Sequence, residues 1–287
     1  MSRAPDEKID YKKNIGFFLM HLSPLLAIWA GVSWIAVMVC VLAYYVRMFG
    51  ITAGYHRYFS HRTFKTSRPF QFALAFLGAS AAQKGPLWWA AHHRTHHQHS
   101  DTQEDIHSPG LKGFWWSHVG WILCNKYNPT ESKLVRDFER YPELRFLNKH
   151  YLIPPFTFAT CIFALGYVLN HFFPGLGTSS FQMLVWGFFV STIFLYHGTF
   201  AINSLTHVIG RRRYKTGDDS RNNWLLALFT MGEGWHNNHH YYPSSEKQGF
   251  YWWEIDMSHY LLKCLSWVGI VWDLKRPPKQ IFDATGL

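Results

Sequence analysis

Five of the ten residues in the segment HHRTHHQHSD, positions 92–101, are histidines. Further histidines recur in three short motifs, HRYFSH at 56–61, NSLTH ending at position 207, and HNNHH at 236–240. Imidazole is the commonest metal ligand among protein side chains and suits iron, copper, nickel and zinc. Histidines at this density therefore indicate a metal centre.

The spacing within the motifs predicts how these side chains converge. In an α-helix, positions i, i+3 and i+4 lie on one face, so each HxxHH motif points three imidazoles the same way. His56 and His61 diverge by about 140° on an ideal helix. We therefore expect the helix to end or unwind between them, next to Gly54. The predicted ligands are His56, His61, His93, His96, His97, His207, His236, His239 and His240.

Nine imidazoles are too many for one ion and suit two metal ions, each with an open position. Zinc sites typically use three or four protein ligands. A ligand set of histidines without thiolates better suits a redox-active first-row metal such as iron. In carboxylate-bridged di-iron bundles, glutamates and Glu-x-x-His motifs supply the ligands, and the HxxHH and HxxxxH motifs of this sequence predict a different, histidine-based ligand set.

The composition predicts an all-α membrane protein. Charged residues are 16% of the chain, against about 25% in an ordinary soluble domain. No Asp, Glu, Lys or Arg occurs in 14–46, 151–173 or 181–208, and about 20 apolar residues suffice for one spanning helix. We assign the net charge of +10 to the positive-inside bias of membrane proteins rather than to nucleic-acid binding.

These runs predict four transmembrane helices in two hairpins, with turns at WAGVSW (29–34) and PGLGTSS (174–180). An even number of spans puts both termini on one side, which the basic residues after each hairpin make cytoplasmic. We expect a multi-pass protein whose two cytoplasmic segments fold into one helical cap. The predicted divisions are an N-terminal segment 1–13, a first hairpin 14–54, a first cap segment 55–150, a second hairpin 151–208 and a second cap segment 209–287.

The motifs GITAGYHRYFSHRTFK, HHRTHH, FWWSHVGWIL, NSLTH and GEGWHNNHHYYP resemble those of the integral-membrane fatty acyl desaturases, in particular the Δ9 acyl-CoA branch. The resemblance covers roughly residues 15–275. It implies four membrane helices, a cytoplasmic di-iron cap and O2-dependent insertion of a cis double bond, with C16 or C18 saturated acyl-CoA as substrate. It assigns the same nine histidines as iron ligands. It adds Asn203, which would reach the second iron through water.

The resemblance also suggests substrate contacts. Arg94 matches a family position near the CoA, and Trp89 and Phe200 are expected along the acyl tunnel. Met48, with Tyr44 and Tyr45 one turn further from His56, is predicted to close that tunnel on the basis of α-helical geometry.

The sequence departs from animal members at three positions. His92 stands where they usually have aspartate, His197 where they have asparagine, and Phe200 where they have tryptophan. The change at His92 alters an outer contact of the ligand motif. We expect nearby carboxylates to replace it, and the candidates are Asp101, Glu104 and Asp105.

The chemistry requires two electrons from outside, since the sequence has neither a haem-binding HPGG segment nor a cysteine cluster. We expect a separate donor of the ferredoxin, rubredoxin or cytochrome b5 type. An acyl-lipid desaturase and a fatty acyl hydroxylase on the same scaffold remain open alternatives. A metal transporter or sensor is more remote, because it predicts polar residues within the spans.

Overall fold

The computed structural model describes residues 4–283, and most of this stretch of the chain is helical. In chain order, the helices are α1 (Ile15–Ala30), α2 (Trp34–Ser60), α3 (Arg68–Ser80), α4 (Pro86–His99), α5 (Pro109–Lys112), α6 (Arg136–Glu139), α7 (Pro142–Lys149), α8 (Ile153–Phe172), α9 (Ser180–His207), α10 (Trp224–Phe229), α11 (His236–Tyr241), α12 (Met257–Trp267) and α13 (Gln280–Asp283). Strands β1 (Lys65–Thr66) and β2 (Val271–Trp272) form an antiparallel pair. Short turns of π-helix and 3₁₀-helix lie at Trp116–Gly120, Asn125–Tyr127, Ser132–Leu134 and Pro174–Leu176.

Three helices, α2, α8 and α9, are long and apolar enough to cross a membrane. Helix α1 is apolar but shorter than these, and it tightens to a 3₁₀ turn over Ser23–Leu26, where Pro24 lacks a backbone N–H. At about 1.5 Å per residue, its length falls short of the ~30 Å hydrocarbon core. The structure thus supports three of the four expected spans by length, and the fourth span and the pairing into hairpins stay predictions.

The chain turns between α1 and α2 at Gly31, inside the segment predicted to turn. Gly31 has a φ of +67°, a left-handed conformation that glycine adopts without strain. The Ser33 side chain then accepts a hydrogen bond from the backbone N–H of Ala36 and caps α2. From α9, the Gln182 side chain donates to the Ala30 carbonyl, which ties the turn to that helix.

Helices α2 and α3 approach each other at two glycines. A Cβ added at Gly50 would lie 2.6 Å from the backbone nitrogen of Gly78. A Cβ at Gly78 would lie 2.4 Å from the Tyr55 ring. Because neither contact leaves room for a side chain, both positions require glycine, and the backbone of α2 is held against α3 just before the first histidine motif.

One buried charge lies within α2. Arg47 is fully buried, and its guanidinium donates to the Thr192 Oγ1 at 2.7 Å and to the Ser191 Oγ. It also lies over the Phe158 ring, 4.7 Å from the centroid. Ionisable groups inside a membrane span are costly unless their donors are satisfied. These contacts satisfy the donors and pin α2 to α9, so Arg47 has a packing role.

The two polar segments of the chain, residues 55–150 and the described residues 209–283, pack against each other. Lys65 of β1 pairs with Trp272 of β2, and Arg57 bonds to Glu233 and to Asp256. The principal apolar core runs beneath these contacts and includes residues from both segments as well as from α2 and α9. Side chains that follow the membrane helices and side chains from the C-terminal segment therefore meet in one place.

Candidate metal centre

The nine predicted histidines come together in two groups. Their nitrogen atoms lie within 4.8 Å of one another inside each group. The five-histidine group consists of His56, His61, His93, His97 and His239. The four-histidine group consists of His96, His207, His236 and His240. Each HxxHH motif divides its histidines between the groups, so α4 and α11 each contribute to both.

The first histidine motif departs from the expected geometry in an informative way. Residues Gly50–Ser60 continue α2 as a π-helix, which is wound more loosely than an α-helix, and the helix ends at Ser60, just before His61. The His61 N–H bonds to the His56 carbonyl, an i→i+5 bond, at 3.2 Å. In a π-helix, residues five apart stack one turn above each other, and the two imidazole centroids lie 4.9 Å apart. The wider helix thus provides the convergence that an α-helix would prevent.

Within each group, Nε2 atoms of different histidines lie close to one another. Nε2 of His239 lies 3.0 Å from Nε2 of both His56 and His97. Nε2 of His207 lies 3.1 Å from Nε2 of His236. A neutral imidazole carries one N–H, so such contacts leave lone pairs directed at a common point. This arrangement fits a metal ion in each group.

Carboxylates fix the outward nitrogen of four of these histidines. A hydrogen bond from Nδ1 to a carboxylate leaves Nε2 as the metal-binding nitrogen and orients the ring. The pairs are His56–Glu233, His96–Asp105 at 3.1 Å, His207–Asp101 at 2.7 Å and His240–Asp218 at 2.6 Å. Other buried nitrogens, Nδ1 of His236 and of His239 and Nε2 of His240, have no hydrogen-bond partner among the described residues.

The carboxylates are distributed unevenly between the two groups. Among the described residues, three adjoin the four-histidine group, whereas only Glu233 adjoins the five-histidine group. Glu233 is also 3.1 Å from the buried guanidinium of Arg57, which offsets its charge. The four-histidine group therefore has the more negative surroundings.

Two of these four carboxylates were among the candidates from the sequence. Asp101 and Asp105 were among the candidates for outer contacts, but Glu104 instead pairs with the non-ligand His99. Asp218 and Glu233 were missed. The spacing of Glu233, three residues before His236, was a local signal, whereas Asp218 reaches His240 through a loop that no periodicity predicts.

Although His96 is buried, its pKa is raised, because Asp105 stabilises the charged imidazole. In six of the other ligand histidines, burial favours the neutral form. It lowers the pKa of His93, His97 and His239 well below the ordinary value, and neighbouring imidazoles lower it further. Burial also lowers the pKa of His240 to about 4, despite the hydrogen bond to Asp218. Neutral imidazole at pH 7 is the form that binds metal.

A third small cluster lies beside the four-histidine group and was not predicted. The His107 ring stacks on that of His96 with centroids 4.3 Å apart, and the His107 backbone N–H donates to Asp105. Its Nδ1 is buried without a hydrogen-bond partner among the described residues. His107 also lines the cavity described next, so it forms part of the wall between that cavity and the metal centre.

A cavity of about 750 Å³ reaches the metal centre at His93, a volume in the range of small-molecule sites. Its lining includes the polar and basic residues Lys13, Lys84 and Asn128 as well as the aromatic residues Phe156 and Phe188. Such a lining suits a molecule with a polar head and a long apolar chain.

The cavity also touches the exposed apolar surface of the helices. Phe17 and Met20 of α1 line it together with Leu152 and Phe156 at the start of α8. Phe156 and Leu152 are 69% and 52% exposed. Some of the cavity wall is therefore formed by residues on the outer surface of a candidate membrane helix.

Besides His93, three of the predicted substrate or metal contacts line this cavity, namely Trp89, Phe200 and Asn203. Trp89 stacks on His93 with centroids 5.0 Å apart. Asn203, four residues before His207, is thus exposed to whatever occupies the cavity, which is compatible with the predicted water-mediated contact.

Met48, Tyr44 and Tyr45 are not in the lining of this cavity. Met48 is 1% exposed, and its methyl group and the Tyr44 hydroxyl pack at Gly198 of α9. The Tyr44 hydroxyl also donates to the Phe229 carbonyl. The expected tunnel floor was extrapolated from His56 with α-helical geometry, but residues 50–60 are π-helical, which changes the direction in which Met48 points.

Arg94 makes its hydrogen bonds within the protein. Its guanidinium makes a bidentate pair with Asp137 at 2.9 Å for each bond. It also donates to the backbone carbonyls of Phe59, Ser60 and Leu134. With these donors satisfied inside the protein, Arg94 joins α4 to neighbouring segments, and its placement near the CoA stays a prediction.

Sequence comparison agrees with this architecture. Residues 32–265 match the sequence profile of the fatty acid desaturases, and the chain belongs to that family. It is 37% identical over 276 residues to an sn-1 stearoyl-lipid 9-desaturase of Anabaena variabilis, covering 95% of this chain and 96% of that relative. It is 37% identical over 277 residues to the Δ9 acyl-lipid desaturase 1 of Arabidopsis thaliana, covering 96% and 86%.

An acyl-CoA 5-desaturase of Anemone leveillei is also similar, with 36% identity over 249 residues, covering 85% of this chain and 73% of the relative. Relatives named for acyl-lipid and for acyl-CoA substrates thus occur at nearly equal identity. The protein is a fatty acid desaturase, and its family typically uses two irons.

Proposed function

We propose that this protein is an O2-dependent di-iron desaturase that inserts a cis double bond at Δ9 of a saturated 16- or 18-carbon acyl chain. The observation that carries the proposal is the pair of histidine groups beside a long amphipathic cavity. The balanced reaction is –CH2–CH2– + O2 + 2 e⁻ + 2 H⁺ → –CH=CH– + 2 H2O. Two C–H bonds break, and both oxygen atoms leave as water.

Two irons, when bound, would supply the oxidant that removes hydrogen from an unactivated methylene, a reaction no side chain performs. The nine histidines would hold them, with Asn203 assigned to the four-histidine ion through water. The chain's other residues position the substrate. Trp89 and Phe200 line the cavity beside His93, where they would orient the acyl chain and exclude water.

The proposal also concerns the molecule that carries the acyl chain, either acyl-CoA or a membrane glycerolipid. The sequence favours acyl-CoA, but two features of the structure favour a membrane glycerolipid. Arg94, the residue expected near the CoA, is held by Asp137. The cavity is bordered by the lipid-exposed Leu152 and Phe156, so an acyl chain of a bilayer lipid has a short path into it between α1 and α8.

The topology and the electron source complete the proposal. We infer four membrane passes with both termini cytoplasmic, so that the metal centre faces the cytoplasm. The two electrons come from a separate donor of the ferredoxin, rubredoxin or cytochrome b5 type. This assignment is supported by the absence of a haem or iron–sulfur motif in the sequence.

The test is product analysis in two settings. Expression in a desaturase-deficient host, followed by gas chromatography of its lipids, should show 16:1 and 18:1 chains with the double bond at C9. Hydroxylated chains would instead favour the hydroxylase alternative. Purified protein with a reduced donor should then desaturate stearoyl phosphatidylcholine in vesicles faster than stearoyl-CoA, and the reverse order would restore the acyl-CoA assignment.

A further inference from the structure

A second cavity, separate from the acyl cavity, also reaches the metal centre. This groove of about 520 Å³ touches His61, whereas the acyl cavity touches His93. Both histidines belong to the five-histidine group. We define the His61 groove by the charged residues that surround this ligand, Arg62, Lys65, Asp137, Arg140, Asp273 and Lys275.

The groove carries an excess of positive charge. The side chains of Arg62 and Lys65 are 63% and 67% exposed, and Arg140 and Lys275 are also exposed. Of its two carboxylates, Asp137 is held by the bidentate pair with Arg94 and also lies 3.6 Å from the guanidinium of Arg62. Asp273 pairs with Lys65 at 2.9 Å. The cations of the groove therefore exceed the negative charge that faces them.

The groove is fixed rigidly to the metal ligands. Lys65 pairs with Trp272 in the small sheet, and the Lys275 N–H bonds to the Thr63 carbonyl at 2.9 Å. In the sequence, Thr63 follows Arg62, which follows His61. Arg62 has a φ of +53°, an unusual conformation for a residue other than glycine. The surrounding contacts hold it there, and its side chain extends outward at the groove.

We propose that the His61 groove is the docking site of an acidic one-electron carrier protein, and that electrons enter the five-histidine ion by way of His61. The proposal rests on the proposed function, because it supplies the two electrons that desaturation consumes. In each encounter the carrier is oxidised by one electron and one Fe3+ is reduced to Fe2+. Two encounters serve one turnover. The acyl chain occupies the cavity at His93, so a carrier must approach the ion from elsewhere.

Charge complementarity identifies the occupant as acidic, since opposite potentials steer association and set its salt dependence. A competing basic surface is the segment Arg211–Lys215. There, Arg212 bonds to Asp219 and to the carbonyls of Thr216 and Asp218, and Arg213 pairs with Glu254. These arginines hold their own loop, and the segment is therefore the appropriate site for a matched control.

The experiment uses the iron-loaded protein in lipid nanodiscs, without acyl substrate. The double variant Arg140→Glu/Lys275→Glu reverses two charges in the groove without touching a ligand. The control Arg211→Glu/Lys215→Glu reverses two charges on the other surface. The rate of iron reduction is measured with a reduced acidic [2Fe–2S] ferredoxin, with the reduced soluble domain of cytochrome b5, and with dithionite as a small reductant.

The groove variant should be reduced by the protein carriers about tenfold more slowly at low salt, with a flatter salt dependence, and at the normal rate by dithionite. The control should behave as wild type. Normal reduction of the groove variant by both carriers, or an equal loss in the control, would overturn the assignment. Because iron reduction is followed directly, this result does not depend on whether the protein desaturates an acyl chain. If the chain binds no iron, the proposed function fails on metal analysis, and binding of the carriers to the nanodiscs still tests the groove.

Discussion

Nε2 of His56 and Nε2 of His239 lie 3.0 Å apart, although 183 residues separate them in the chain. His56 comes from the π-helical end of α2 and His239 from the short helix α11. Two buried imidazoles held this close, with a third at the same distance from His239, leave space that a shared ion would occupy. This contact joins the membrane helices of the protein to its C-terminal segment.

The carboxylate partners should control metal retention in the four-histidine group. Replacing Asp218 by Asn removes the acceptor that orients His240, and loss of such a partner typically lowers metal affinity 10–100-fold. After dialysis against a chelator, Asp218→Asn should retain about one iron per chain where wild type retains two. Glu104→Gln is the matched control, since Glu104 pairs with the non-ligand His99. Equal iron in all three proteins would show that Asp218 does not support a ligand.

The metal ligands were easier to predict from the sequence than the contacts around them, because the ligand motifs are local. The HxxHH spacing fixes three side-chain directions within one helical turn, so the ligands on α4 and α11 could be predicted without tertiary information. Predicting the π-helix would have required such information. The π-helix forms where Gly50 and Gly78 bring α2 against α3, a contact between residues that the sequence does not mark as neighbours. The same is true of Arg57, whose partners Glu233 and Asp256 lie far along the chain.

Arg94 should act through stability rather than substrate affinity. In Arg94→Ala, Asp137 loses its bidentate partner and three carbonyls lose a donor. Breaking a partly buried pair of this kind should cost about 2–4 kcal/mol. The thermal unfolding temperature and the iron content should therefore both fall. The KM for acyl-CoA should stay the same in the protein that remains folded. Normal stability with a salt-sensitive rise in KM for acyl-CoA would instead place Arg94 at the CoA.

Chain-length preference should follow the lining of the acyl cavity. Phe188→Ala enlarges its aromatic side and should raise the proportion of 18-carbon over 16-carbon products. Met48→Ala removes a side chain that packs at Gly198 outside the lining. It should leave the product ratio unchanged while costing about 2–5 kcal/mol of stability. Gas chromatography of products at equal iron content measures the ratio, and a shift in the Met48 variant alone would restore Met48 as the tunnel floor.

The metal-free protein should lose stability on acidification. The unfolded chain takes up protons at its histidines near pH 6.5, whereas burial lowers the folded-state pKa of His240 to about 4 and those of His93 and His97 well below the ordinary value. Between these limits the unfolded state binds more protons, so stability falls as pH falls. Unfolding of the apo-protein at pH 7 and pH 5 measures the slope, which His240→Asn should reduce. A metal-free protein that became more stable at pH 5 would be incompatible with buried neutral imidazoles.

Iron content and desaturation in two variants of one helix test the central claim most directly. His97 belongs to the five-histidine group, whereas His99, two residues later on α4, pairs with Glu104 and belongs to neither group. Wild type and His99→Ala should each bind about two irons per chain and produce unsaturated chains at similar rates. His97→Ala should lose iron and all desaturation while remaining folded by circular dichroism. Full desaturation by His97→Ala, with wild-type iron content, would contradict the di-metal assignment.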